Sequence, residues 1–275
     1  MKLLNLGCGN RYHPEWTNIN FTSTGDGVIA HNLTQGIPFP DNYFDVVYHS
    51  HVLEHFPKAQ AEDFIKDCYR VLRPQGILRV VVPDLEEIAR TYLAAFDKVN
   101  NGFREWDDNY QWILLEMYDQ TVRNTSGGEM LKYLSQKEIF NQEFIINRCG
   151  IEAKNLIQMG KNKLDIKDHQ PSLIKKIYRF LRYASYRRET VIRLILGEEY
   201  EALKIGRFRL SGEVHQWMYD SYSLSILLKQ FGFKDIVQRS ATESYVNAWN
   251  NYNLDTESDG TVYKSDSLYM EGIKY

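Results

Sequence analysis

A few stretches of this 275-residue chain carry residue types that could do chemistry. Gly7-Cys8-Gly9 closes the apolar run Leu3-Leu4-Asn5-Leu6. A Gly-x-Gly turn at the end of a buried parallel strand lets a ligand lie against bare backbone N–H groups. His51-Val52-Leu53-Glu54-His55 matches H-x-x-E-H, in which two His at i and i+4 on a helix can share a metal. Asp119 to Glu129 is densely polar and holds Arg123 and the pair Gly127-Gly128. Arg123 suits a carboxylate, a phosphate or sugar hydroxyls; the plainer alternative is a helix C-terminus with a glycine stop. Ser211 to Asp220 sets His215 among Glu213, Trp217, Tyr219 and Asp220. A His within hydrogen-bond reach of a hydroxyl can take its proton; a half-buried His beside an aromatic cluster is the plainer reading there.

These groups need a scaffold, and apolar spacing outlines one. Strand patterns fall at 1–6, at Thr17-Asn18-Ile19-Asn20-Phe21, at 27–32, at Phe44 to His49 and at Ile77 to Val82. Helical spacing over Ala59 to Leu72 is stopped by Arg73-Pro74-Gln75-Gly76. The connections between the first three strands are too short for crossover helices. They must be turns or extended loops, which predicts poor cover on one face of that half of the sheet. From residue 85 to about 205 the pattern is helical or loop-like, with little strand signal. A last helix, Tyr222 to Phe231, precedes two strand patterns at 234–238 and 267–272, joined by the long segment 240–266.

Composition narrows the function classes. A hydrophobic content of 43% supplies a core, and a formal net charge of -3 shows no polyanion-binding bias. Cys8, Cys68 and Cys149 are odd in number and far apart, against a disulfide framework or a Cys-based zinc site. No signal-peptide pattern and no membrane-length apolar run occurs, so the expectation is a cytoplasmic protein. Basic residues cluster once, among apolar ones, between Leu173 and Leu196. A solvated helix face explains that pattern, with membrane-surface contact as the alternative. Nucleic acid is not expected as a partner, because no groove with aromatic stacking platforms is evident.

Leu4-Asn5-Leu6-Gly7-Cys8-Gly9-Asn10 resembles the first motif of the class I S-adenosylmethionine (SAM)-dependent methyltransferases. Tyr12 stands where a dinucleotide fingerprint needs its third Gly. Pro38 to Tyr48, Val52-Leu53-Glu54-His55-Phe56 and Arg70 to Gly76 resemble the later motifs of the same class, in its small bacterial members of polysaccharide and small-molecule pathways. The resemblance implies an α/β, Rossmann-like, mostly parallel sheet with a helical insertion after the fifth strand. Residues 1–84 and 206–275 would bind SAM, and 85–205 would form a substrate lid. Leu6, Gly7, Cys8 and Gly9 would pass under the methionine part, Asn20 would meet the ribose, and Asn32 with Leu33 the adenine edge. His49, Ser50 and His51 would border the sulfonium. The class usually has Asp at the ribose and adenine positions; Asn at both loses charge-assisted strength.

The activity so implied is methyl transfer to a hydroxyl of a sugar or saccharide, with His215 as first choice of general base and His51 as second. Asp119, Arg123, Trp217 and Tyr219 would contact the acceptor. Another polar small molecule as acceptor, or a non-catalytic SAM-binding module, are the alternatives. No metal is expected, since H-x-x-E-H here follows a buried strand in a nucleotide-binding pattern. Oligomeric state is left open.

Overall fold

Alternation along the strands decides which residues face which layer. The protein is described by a computed structural model over residues 1–164 and 172–275. Its sheet has seven strands: β1 (Leu3–Leu6), β2 (Thr17–Asn20), β3 (Val28–Ala30), β4 (Phe44–Ser50), β5 (Leu72–Pro83), β6 (Phe233–Arg239) and β7 (Ser267–Lys274). They lie in the order β3-β2-β1-β4-β5-β7-β6. The first five pair in parallel, and β7 runs antiparallel to both neighbours. This is the mostly parallel Rossmann-like arrangement expected, closed by the late hairpin. β1 has β2 on one side and β4 on the other. The strand order therefore reverses there, and a crevice opens beyond their C-terminal ends.

One face carries Leu4, Leu6, Ile19, Val47, Leu78, Val80 and Val82. It packs against α1 (Lys58–Val71), through Phe64, Ile65 and Cys68, and α9 (Ser221–Gln230), through Leu224, Leu227 and Leu228. The other face carries Leu3, Val46, Tyr48, Val81 and Tyr269, and among the described residues its core cluster includes no α-helix. It is covered by Ala241, Val246, Trp249 and Leu254 of the segment joining β6 to β7. We call this segment, residues 240–266, the strap. At the sheet edge Ile29 of β3, in register with Ile19 and so on the helix face, is 43% exposed, and the predicted lack of cover shows there. Elsewhere that expectation is corrected, because a strap without regular strands does the work of a helix.

A buried charge network fixes the strap. Arg79, fully enclosed, lies mid-strand in β5. Its guanidinium donates to Asp255 at 2.9 Å, to Glu271 at 2.9 Å, and to the carbonyls of Ser240 (2.8 Å) and Glu243 (2.9 Å). The Tyr48 hydroxyl donates to Asp255 at 2.6 Å. Arg11, from the loop after β1, donates to the carbonyls of Asn253, Leu254 and Thr256.

Residues after β5 are helical: α2 (Leu85–Asn100), α3 (Asp107–Val122), α4 (Gly128–Leu134), α5 (Gln142–Leu164), α6 (Leu173–Arg182), α7 (Ala184–Leu196) and α8 (Glu199–Arg209). Asp84 caps α2 by accepting from the Glu86 and Glu87 amides. Gly150, at φ 70°, interrupts α5. Trp112, Leu134, Ile145 and Ile157 form a core of their own, beside a buried pair of Glu116 with Arg148. The basic segment expected over 173–196 forms α6 and α7, with Ile174, Ile177, Leu181 and Leu194 exposed. Among the described residues no helix is long and apolar enough to cross a membrane.

Removing Arg79 strands two buried carboxylates. Arg79→Ala should lower unfolding free energy by about 3–5 kcal/mol and expose the strap to proteolysis. A denaturant melt showing a loss below about 1 kcal/mol would mean that the network does not hold the strap.

Candidate active site

The β1 strand ends at the switch point, and Gly7 turns the chain there with φ +65°. A Cβ at Gly7 would sit 2.3 Å from the Val52 side chain, so both space and backbone demand glycine. The turn passes between two hollows. One is a cleft of about 490 Å³, lined by Gly7, Asn20, Asn32, Leu33 and His51 and roofed by residues 209–212. The other, of about 290 Å³, is lined by Gly7, Cys8, Gly9, Ser50 and His51, with Glu152 and Lys264 across from them. Gly7 and His51 border both.

Several expected cofactor residues therefore meet at one place, although they come from β1, β2, the turn after β3 and the end of β4. Leu6 contributes only through its backbone, since its side chain is fully buried. Burial pushes the Cys8 thiol up to about 11, so it is protonated at neutral pH. Asn20 accepts from the Gly9 amide at 3.3 Å and donates to the Thr22 carbonyl at 3.0 Å. Asn32 accepts from the Thr34 amide at 3.0 Å and caps a 3-10 turn, Leu33–Gln35. Asn20 thus ties the turn after β1 to its own loop, and Asn32 braces the turn it caps.

His49 is a correction. Strand alternation turns Tyr48 and Ser50 toward the strap and His49 toward α1. There its ring is fully buried, edge-on to Phe64 at 5.0 Å, with neither nitrogen hydrogen-bonded. It does not line either hollow. Burial lowers its pKa to about 4, against the pull of Glu54.

The two candidate bases differ in setting. His215 is 6% exposed, and burial drives its pKa down to about 3, which makes it a weak base. Its neighbour Gln216 lines the cleft instead. His51 faces both hollows, with Nδ1 3.1 Å from Glu54 Oε1 and Nε2 2.8 Å from Ser267 Oγ. Of the two, His51 is the one that lines the hollows. Glu54 is fully buried in the 3-10 turn Leu53–His55. Burial alone would raise its carboxyl; the imidazoles around it, His51 first, hold it below the usual carboxylate range.

The acceptor residues expected in the insertion have other duties. Asp119 accepts from the Glu129 and Met130 amides at the start of α4. Arg123 donates to the Glu213 carbonyl at 2.8 Å. The stretch is a helix end, with Arg123 as the C-cap of α3, but its glycines do not stop that helix: Gly127 is the N-cap of α4. Tyr219 is buried in the main core and its carbonyl accepts from the Leu85 amide. Trp217 is 45% exposed beneath Lys58 and lies outside the cleft lining. The sequence reading missed Phe21, Gln60, Arg209, Ser211 and Gln216, which do line the cleft. Gly212 just before His215 was the available signal for a close approach to a ligand. It also missed Lys264, which the strap carries to the second hollow.

Residues 15–80 match the protein family described as a methyltransferase domain. A relative from Mycolicibacterium smegmatis, named a probable S-adenosylmethionine-dependent methyltransferase, is 40% identical over 57 residues; these are 20% of this chain and 21% of that one. The chain thus matches only about a fifth of that relative's length. A SAM-dependent methyltransferase from Archaeoglobus fulgidus aligns over 99% of this chain and 86% of its own, at 11% identity and a TM-score of 0.39. One from Thermotoga maritima aligns over 100% and 82%, at 9% identity and a TM-score of 0.39. The resemblance to the class I methyltransferases is borne out by the strand order and the family match, and SAM is the cofactor that goes with them.

Stability should fall with acid in a defined window. His49 and His215 titrate in the folded protein near 4 and 3, below the 6.5 of an unhindered His. Below pH 6.5 the unfolded chain binds protons that the native state refuses, so stability is lost as pH drops toward 4. His49→Leu should make that slope shallower, by up to about 1.4 kcal/mol per pH unit. Equal slopes in urea melts at pH 7, 6, 5 and 4 would show that His49 is not held neutral.

Proposed function

We propose that the chain is a SAM-dependent methyltransferase that methylates a hydroxyl of a sugar or saccharide. The observation that supports it most is the convergence at the switch point. There the Gly7–Gly9 turn, Asn20 and the Asn32-Leu33 pair line adjoining hollows with His51 between them. The adenosine would occupy the larger cleft, its ribose hydroxyls beside Asn20 and its adenine edge beside Asn32. The amino-acid end would enter the second hollow, where Lys264 and Glu152, 3.0 Å apart, suit a group carrying both charges.

The chemistry is an in-line displacement. The sulfonium already activates the methyl carbon, so the protein positions three atoms and removes one proton. His51 would take that proton through Nε2, with Nδ1 turned toward the ionised Glu54. The acceptor hydroxyl would replace Ser267 Oγ at Nε2. Gln60, Ser211 and Gln216 at the cleft offer the donors and acceptors that a polyhydroxyl acceptor requires.

Because Asn20 and Asn32 are partly committed to their own loops, a SAM-binding module without turnover is the second reading. Calorimetric titration with SAM, S-adenosylhomocysteine and, as control, NAD separates the cases. Binding of both adenosyl ligands but not NAD, followed by turnover on sugar acceptors, is the expected result. Binding without turnover on any acceptor favours the second reading, and no binding removes both. His51→Asn should cut kcat by about 100-fold or more and leave SAM affinity within a few-fold. Retained kcat would clear His51 of the base role.

A further inference from the structure

Behind His51 the structure gathers polar atoms that have nothing to bind. Among the described residues neither carboxylate oxygen of Glu54 has a hydrogen-bond partner, although the residue is fully buried. The buried Nδ1 atoms of His55 and His215 have none either. His51 Nδ1 stands 3.1 Å from Glu54 Oε1, but out of line for a hydrogen bond. Orphaned polar atoms are few in folded proteins, and each calls for a cause. A buried carboxylate with no hydrogen bond is costlier still, and here only nearby imidazoles stand against its lost hydration.

The cluster is held by backbone and not by its own side chains. The Glu54 carbonyl accepts from the amides of Gln216 at 2.7 Å and Trp217 at 3.3 Å. The His215 amide donates to the Gln120 carbonyl at 2.9 Å. Two segments far apart in sequence are thereby pinned face to face. One ligand atom each from Glu54, His55 and His215 lies within 4.8 Å of the other two. His215 Nε2 is 4.0 Å from Glu54 Oε1, and the two imidazole rings stand 4.7 Å apart and nearly perpendicular. Ligands bound tetrahedrally at about 2.0–2.1 Å sit about 3.4 Å from one another. Side-chain rotations of about an ångström would close the set. The other acidic cluster, Glu116 with Cys149 and Asp266, differs because Arg148 already neutralises Glu116.

We propose that Glu54, His55 and His215 form a binding site for a zinc-class divalent cation, with His51 as the outer group that orients the Glu54 carboxylate. The set is two imidazoles and one carboxylate. It favours zinc, cobalt or iron over magnesium and calcium, which demand oxygen ligands. The cation would also offset the buried charge of Glu54. Three protein ligands leave a coordination position for water or another oxygen, and His55 places the site at the wall of the larger cleft. The ligands are not the two His of the H-x-x-E-H pattern. His55 and Glu54 come from it, and the third arrives from the segment before α9.

The test begins with metal analysis of the purified protein and of protein stripped with a chelator. Stripped protein is titrated with zinc, cobalt or magnesium, following Tm and the visible spectrum of cobalt. Expected are one zinc-class ion per chain, a Tm that rises with zinc and not with magnesium, and a cobalt spectrum of low-coordinate type. His55→Asn and His215→Asn should each weaken uptake at least about tenfold. If either variant fails to fold, the wild-type titration still decides. Stripped, folded protein that shows neither a zinc-dependent Tm nor a cobalt spectrum overturns the site, as does full uptake by a folded His215→Asn variant. SAM binding is measured separately. Failure of the methyltransferase reading would appear there and leave the metal result standing.

Discussion

Everything on the strap side of the sheet depends on one buried cation. Arg79 interrupts the apolar run of β5, and enclosing a guanidinium is tolerable only with full hydrogen bonding. Asp255, Glu271 and two strap carbonyls supply it. The strap is therefore tied to β5 near its start, at Ser240 and Glu243, and again at Asp255. Between those ties Trp249 meets Trp16 at 6.0 Å and Tyr48 at 5.2 Å. Short connections between β1, β2 and β3 leave no helix to cover that face, and this long segment supplies the missing layer. The same tie carries Lys264 and Ser267 to the site, so a structural solution on one face furnishes groups at the strand ends.

The site follows from a second constraint, the reversal of strand order at β1. Backbone geometry at Gly7 clears a path that any side chain would block. Loops from neighbouring strands then meet there, tied by bonds such as that from the Gly9 amide to Asn20. Function at such a place comes from residues one or two positions beyond a strand, where alternation no longer dictates direction. His51, the proposed base, lies at such a position, with φ 52° just past β4. His49, two residues earlier, is still bound by alternation and is spent on the core.

Much of this was legible in the sequence. Apolar runs located β1, β4 and β5, and helical spacing located α1 and the helices after residue 85. The Gly-x-Gly turn marked the site, and the late helix and strand pair announced the closing hairpin. What was not legible involved partners distant along the chain. A lone Arg inside Ile77-Leu78-Arg79-Val80-Val81-Val82 signals a buried counter-charge, yet nothing local says that it is Asp255. Asp119 and Arg123 looked like ligand contacts because their type fits a ligand as well as it fits a helix cap. Glu54 and His55 read as part of the H-x-x-E-H pattern, and only the fold sets His215 against them.

The strand order also dictates a schedule for synthesis. β5 is made early, but its neighbour on one side is β7, roughly 180 residues later in the chain. At about 5–20 residues per second, the ribosome takes about 10–40 s to bridge that gap. Throughout, a long apolar strand shows an unpaired edge, and Arg79 lacks the carboxylate of Glu271 and the strap carbonyls. An open edge of this kind recruits other chains. The helices between β5 and α9 emerge during that interval and have a core of their own to form. The nascent chain thus passes through a stage in which its helical part can be packed while its sheet is still unfinished, a natural client state for chaperones.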